Sequence, residues 1–253
     1  DILNIQTGIA IPPATILNLT SIETVNVKSA VPLTLNGSNW EGTNTLNVTQ
    51  ATTSADLIAA ATTDVNVSGV TGTVDVDGGK NVNVTVAATG TATTIGATTG
   101  AAGTVTVTDA AQNGAIAVDG GTDVTITASG NNALTDTIDV GQAPLPASPL
   151  PTGAVTVSST GVYADGGNTA MGAITIDGGS TVTVTQSAGI TDAQKTAALT
   201  EVANNKTLTQ GAVNVDGGAA TTSVTVVQDA AVAALNTIAP GNTANKIGVV
   251  AGN

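Results

Sequence analysis

An eight-residue phrase, Gly-(Thr/Ala)-(Val/Ile)-x-(Val/Ile)-Asp-Gly-Gly, occurs four times and limits what this chain can fold into more than any other feature. It reads GTVDVDGG from Gly72, GAIAVDGG from Gly114, GAITIDGG from Gly172 and GAVNVDGG from Gly211. After the first three copies a second alternating run opens five residues beyond the Asp, at Val82, Val124 and Val182; after the fourth it is delayed to Val224. Val74 and Val76, then Val82, Val84 and Val86, alternate with Asp75, Asn83 and Thr85, the period of two expected of strands with one buried face. β-Branched Val, Ile and Thr suit a pleated surface. Each unit reads as strand, glycine turn, strand.

The turns centre on Asp77, Asp119, Asp177 and Asp216, followed by Gly78 and Gly79, Gly120 and Gly121, Gly178 and Gly179, and Gly217 and Gly218. Asp accepts local hydrogen bonds and glycine tolerates positive φ, so a hairpin is the simplest solution. A β-arc between the stacked layers of a solenoid would use the same residues. The expected fold is all-β: tandem β-sandwich-like modules built from repeated hairpins, with a β-solenoid as the alternative and one or two short helices. Unit starts 42, 58 and 39 residues apart look too uneven for one unit per solenoid coil.

Residues 1–70 form an N-terminal variant β region of short alternating runs without Asp-Gly-Gly. Pro12-Pro13 set off residues 1–11, whose Leu3, Ile5, Ile9 and Ile11 make a candidate exchangeable, subunit-contacting strand. A β-repeat module spans 71–141, a proline-rich linker 142–152 (QAPLPASPLPT) follows, and a second β-repeat module occupies 153–253. Residues 191–204 carry the clearest helical pattern, capped by Thr191 or Asp192. Ser54 to Ala61 and Gln228 to Ile238 offer shorter helical runs.

Composition removes whole classes of function. With 18 acidic residues against five lysines, a net charge of −13 lacks the basic footprint that nucleic acid or an anionic membrane surface requires. No run is long and apolar enough for membrane insertion, and the start at Asp1 shows no signal-peptide pattern, so the chain reads as a mature product or a fragment. No His or Cys is present, which removes serine and thiol triads and His- or Cys-ligated zinc. A carboxylate pair could still hydrolyse glycosides, but only Trp40 and Tyr163 could serve as aromatic sugar platforms. An enzyme is not expected.

Alongside the repeats stand LNLTSIETVNVKSA from Leu17, TLNGSNWEGTNTLNVTQA from Thr34 and AAATTDVNVSG from Ala59. In these stretches the chain resembles the Thr/Ala/Gly/Val-rich β-strand repeat regions of bacterial surface-layer and related large surface proteins. The resemblance implies an extracellular location on the bacterial cell surface and self-assembly into a homopolymeric layer or filament, often with calcium. A repeat segment of a surface adhesin, binding cell-surface glycan or protein, is the alternative. Calcium at Asp77, Asp119, Asp177 and Asp216 would be shared between turns or subunits, because one Asp per turn supplies too few oxygens. As turn formers these residues need no ligand at all. The calcium-binding Gly-Gly-x-Gly-x-Asp nonapeptide of some relatives is absent.

Overall fold

The computed structural model describes residues 1–10, 19–86, 92–130, 133–141, 150–162, 169–189, 206–230 and 247–250. Two large parallel sheets dominate it. The long sheet has ten strands: β1 (Ile2–Thr7), β2 (Thr24–Ser29), β4 (Thr45–Gln50), β6 (Asp64–Val67), β8 (Val82–Val86), β10 (Val105–Asp109), β12 (Val124–Ser129), β14 (Ala154–Val162), β17 (Thr181–Gly189) and β20 (Ser223–Ala230), lying in that order. The second has eight, from β3 (Leu33–Gly37) through β5 (Ser54–Ala59), β7 (Thr73–Gly78), β9 (Thr93–Ile95), β11 (Ile116–Val118), β13 (Ile138–Val140) and β16 (Ile174–Asp177) to β19 (Val213–Asp216). A small parallel sheet of β15 (Thr169–Ala170), β18 (Lys206–Thr209) and β21 (Ile247–Val250) accompanies the last part of the chain.

This architecture corrects the expected one. The two strands flanking each of the first three Asp-Gly-Gly turns never pair with each other. β7 pairs with β5 and β9 in the second sheet, while β8 pairs with β6 and β10 in the long sheet. The chain therefore alternates between sheets and lays each new strand parallel to the one a full coil earlier. It is neither a set of tandem sandwich-like modules of hairpins nor a solenoid of hairpins, and no helix occurs among the described residues. Ser54 to Ala59, one of the candidate helical runs, is strand β5: Ala55, Leu57 and Ala59 are buried and Asp56 and Ile58 exposed. Burial at every second residue prevails there over helix propensity. Gln228 to Ala230 likewise close β20 as strand. The 191–204 run lies outside the described residues, as does most of 142–152; on either side of the latter, β12 pairs with β14 and β13 with β16.

The turn chemistry explains why a corner forms where a hairpin was expected. Gly78 and Gly79 have φ of 75° and 86°, Gly120 and Gly121 81° and 87°, Gly178 and Gly179 87° and 81°. Two successive left-handed residues swing the strand direction out of one sheet and into the other. The corner is also crowded: a Cβ on Gly78 would collide with the Ala59 carbonyl of the preceding coil. The fourth pair, Gly217 and Gly218, is not left-handed, in keeping with its delayed second strand. Unit spacings of 42 and 58 residues each span two coils and that of 39 spans one, because β9 and β13 belong to coils without the phrase.

One apolar core lies between the two large sheets. In the long sheet Val25, Leu46, Val65, Val82, Val105 and Val124 form a continuous inward row, each at most 1% exposed. Leu57, Val76, Ile95, Val118, Val140 and Ile176 face them from the second sheet. Small side chains suffice because each is covered by its equivalents in the coils before and after it.

Candidate functional site

The Asp-Gly-Gly aspartates occupy equivalent places at the downstream ends of second-sheet strands. Asp177 and Asp216 sit on adjacent strands in direct register. Asp77 and Asp119 are separated by β9, and Asp119 and Asp177 by β13, so neighbouring carboxylates there are about 10 Å apart, two strand spacings. Asp77 does not cap its own turn. Its Oδ1 accepts the Thr98 N–H at 2.7 Å and the Thr99 N–H at 3.2 Å, tying down the corner of the next coil. Asp119 is buried and Asp216 exposed. Among the described residues no group of three or more acidic side chains is arranged to hold a metal ion.

The outer face of the second sheet carries an acidic pair that sequence reading missed. Asp56 and Asp75 stand directly opposite one another on β5 and β7. Burial, with the nearby charges of Asp77 and then Asp56, pushes the Asp75 carboxyl above its ordinary value, and its Oδ1 has no hydrogen-bond partner. At the downstream end of β10, burial also raises Asp109; the Ala111 N–H opposes this and Asp136 reinforces it. Beside it Gln112, 3% exposed, donates its amide to the carbonyl of Asp136 at 3.0 Å, clamping successive coils. Gln210 does the same for the carbonyls of Gln186 and Asp229. These corner amides replace ladder bonds where the strands stop.

The outer face of the long sheet is of another kind. Asn4, Asn26, Asn47 and Asn66 stack in register, and each amide donates to the carbonyl oxygen of the one before: Asn26 to Asn4 at 2.8 Å, Asn47 to Asn26 at 2.8 Å, Asn66 to Asn47 at 2.9 Å. From β10 onward threonine takes over this row, as Thr106, Thr125, Thr156, Thr183 and Thr225. A parallel row two residues along holds Thr85, Thr108, Thr127, Ser158 and Thr185. No register shift interrupts either row. The individual Thr-x-Thr phrases are plain in the sequence, but their alignment is a property of the parallel pairing.

At the far edge of the long sheet the core opens. Val224 and Val226 of β20 are 48% and 44% exposed, whereas their in-register partners Val182 and Val184 are 1% and 0% exposed. At the opposite edge, Leu3 and Ile5 of β1 are half-buried and point inward; Ile9 is exposed, and Ile11 lies outside the described residues.

No protein-family model matches this chain, and no curated protein sequence does either.

Proposed function

We propose that this protein is a non-enzymatic structural subunit of an extracellular layer or filament on the bacterial cell surface, assembled from copies of itself through strand-edge contacts. The supporting observation is the uncovered edge at β20. A strand laid in register beside it would cover Val224 and Val226 and pair the edge row of backbone N–H and C=O groups that has no strand partner among the described residues. The β1 edge of a second copy has the matching character, with inward Leu3 and Ile5 partly uncovered. Joining unlike edges is a head-to-tail contact, and such contacts give open filaments when the rotation does not close. Ca²⁺ shared between subunits at Asp77, Asp177 and Asp216, the members of the row that are not buried, would neutralise part of the −13 charge and strengthen lateral contacts.

Negative-stain electron microscopy of the purified protein, with calcium and again with chelator, tests this. Ordered filaments or sheets are expected, and Val226→Lys should disperse them while leaving the monomer folded. Order that dissolves in chelator would assign the contacts to calcium bridges; order that survives would assign them to strand pairing. Dispersed monomers in both conditions would overturn self-assembly. That outcome would favour the adhesin reading, which draws on the hydroxyl-bearing outer face of the long sheet.

A further inference from the structure

We infer that the threonine face of the long sheet, from β10 to β17, is a binding surface for ice. This face is distinct from the strand edges that would join subunits, and its repeat sets it apart. Its two rows, represented by Thr106, Thr125 and Thr183 and by Thr108, Thr127 and Thr185, recur at about 4.8 Å from strand to strand and at roughly 6.7 Å along each strand. Oxygen positions on the faces of hexagonal ice repeat in the same range. The unbroken register keeps the rows aligned from coil to coil.

Three further features select the ligand. The first is that no hydrogen bond within the described residues engages these threonine hydroxyls, unlike the Asn4 to Asn66 amides, which satisfy one another. Each threonine offers a free donor and acceptor beside a methyl group. The second is charge. In a chain carrying −13, neither row contains a charged residue, so the face matches an uncharged partner and repels no neutral lattice. The third is the lack of an aromatic platform: Trp40 is 5% exposed, and neither row holds an aromatic residue on which a sugar ring could stack. Soluble glycans are bound in concave sites by a few converging groups, whereas here equal groups repeat in two directions.

Multivalency explains how weak contacts become effective. One hydroxyl gains little by exchanging one water for another. Waters already held in a lattice with the same repeat engage many hydroxyls at once, and each contact after the first is intramolecular.

The test is to cool a solution of the whole chain in a nanolitre osmometer and to measure its partition into a growing ice hemisphere. Faceted crystals, a gap between melting and freezing points, and enrichment in the ice are expected. The double variant Thr125→Lys/Thr127→Lys, with charges at the centre of the face, should lower enrichment by at least tenfold at an unchanged unfolding temperature. Thr94→Lys, on the outer face of the second sheet, should leave enrichment as in the wild type. Exclusion of the wild type from ice with no freezing gap would overturn the inference, as would full activity in the double variant. Binding to crystalline cellulose or chitin without ice activity would overturn it too and reassign the face to a neutral polysaccharide.

Discussion

Along one continuous sheet face, the first four Asn strands and the later Thr strands use the same backbone position in opposite ways. Asn4, Asn26, Asn47 and Asn66 turn their amides along the stacking axis and satisfy each other. Thr106, Thr125, Thr156, Thr183 and Thr225 keep their hydroxyls for whatever lies outside. An amide is long enough, and is donor and acceptor at once, so it spans the gap between parallel strands; a hydroxyl on Cβ is too short to do so. Identical register can thus yield an internal brace in one half and an open surface in the other.

If the halves differ only in this outer row, core lesions should cost the same in both. Leu57→Ala and Ile174→Ala, each on a fully buried side chain, should lower unfolding free energy by about 2–5 kcal/mol in urea titrations. A much smaller loss in one would mean that the halves do not share one cooperative core. The braces come next. Asn47→Ala removes the bond given to Asn26 and the one received from Asn66, and should cost about 1–2 kcal/mol.

Charge on the opposite face should act in the other direction. Asp75 holds its proton more tightly in the folded chain than at its ordinary 3.8, so folding takes up protons just above that value. Stability contributed by the protonated carboxyl is complete below pH 3.8 and lost as pH rises through the raised folded value. Asp75→Asn should therefore be indistinguishable from wild type in thermal melts at pH 3 and more stable at pH 7, by about 0.2–1 kcal/mol for relief of an opposed like-charge pair. The smallest change belongs to Thr125→Ala, less than about 0.5 kcal/mol by the same urea titration. A loss as large as that of Asn47→Ala would show that the threonine row is a brace after all.

The strands were legible and their partners were not. Val74 with Val76, and Val82 with Val84 and Val86, announce a buried face, and Asp77-Gly78-Gly79 announces a reversal of some kind. Alternation carries no record of which strand lies alongside, and a glycine pair serves a hairpin or a corner equally. What decides is the left-handed conformation of both glycines together with the Ala59 carbonyl pressed against Gly78, a contact made 19 residues back along the chain. Ser54 to Ala59 misled for a related reason: Ala-rich stretches favour a helix locally, but Leu57 is buried only if every second residue faces inward. The aspartates of the repeat stood out in sequence, whereas Asp56 facing Asp75 came into view only once β5 and β7 were paired.

Parallel stacking also sets how the molecule would respond to pulling. The ladder hydrogen bonds of the long sheet run along the direction from β1 to β20, so tension between those strands loads them in series. Each rung would let go by itself, at modest force, and release the slack of one coil: as little as 17 residues early in the chain and as much as 42 late in it. Such a body yields in graded steps and rewinds rung by rung, stretching under drag where a sheared sheet would snap.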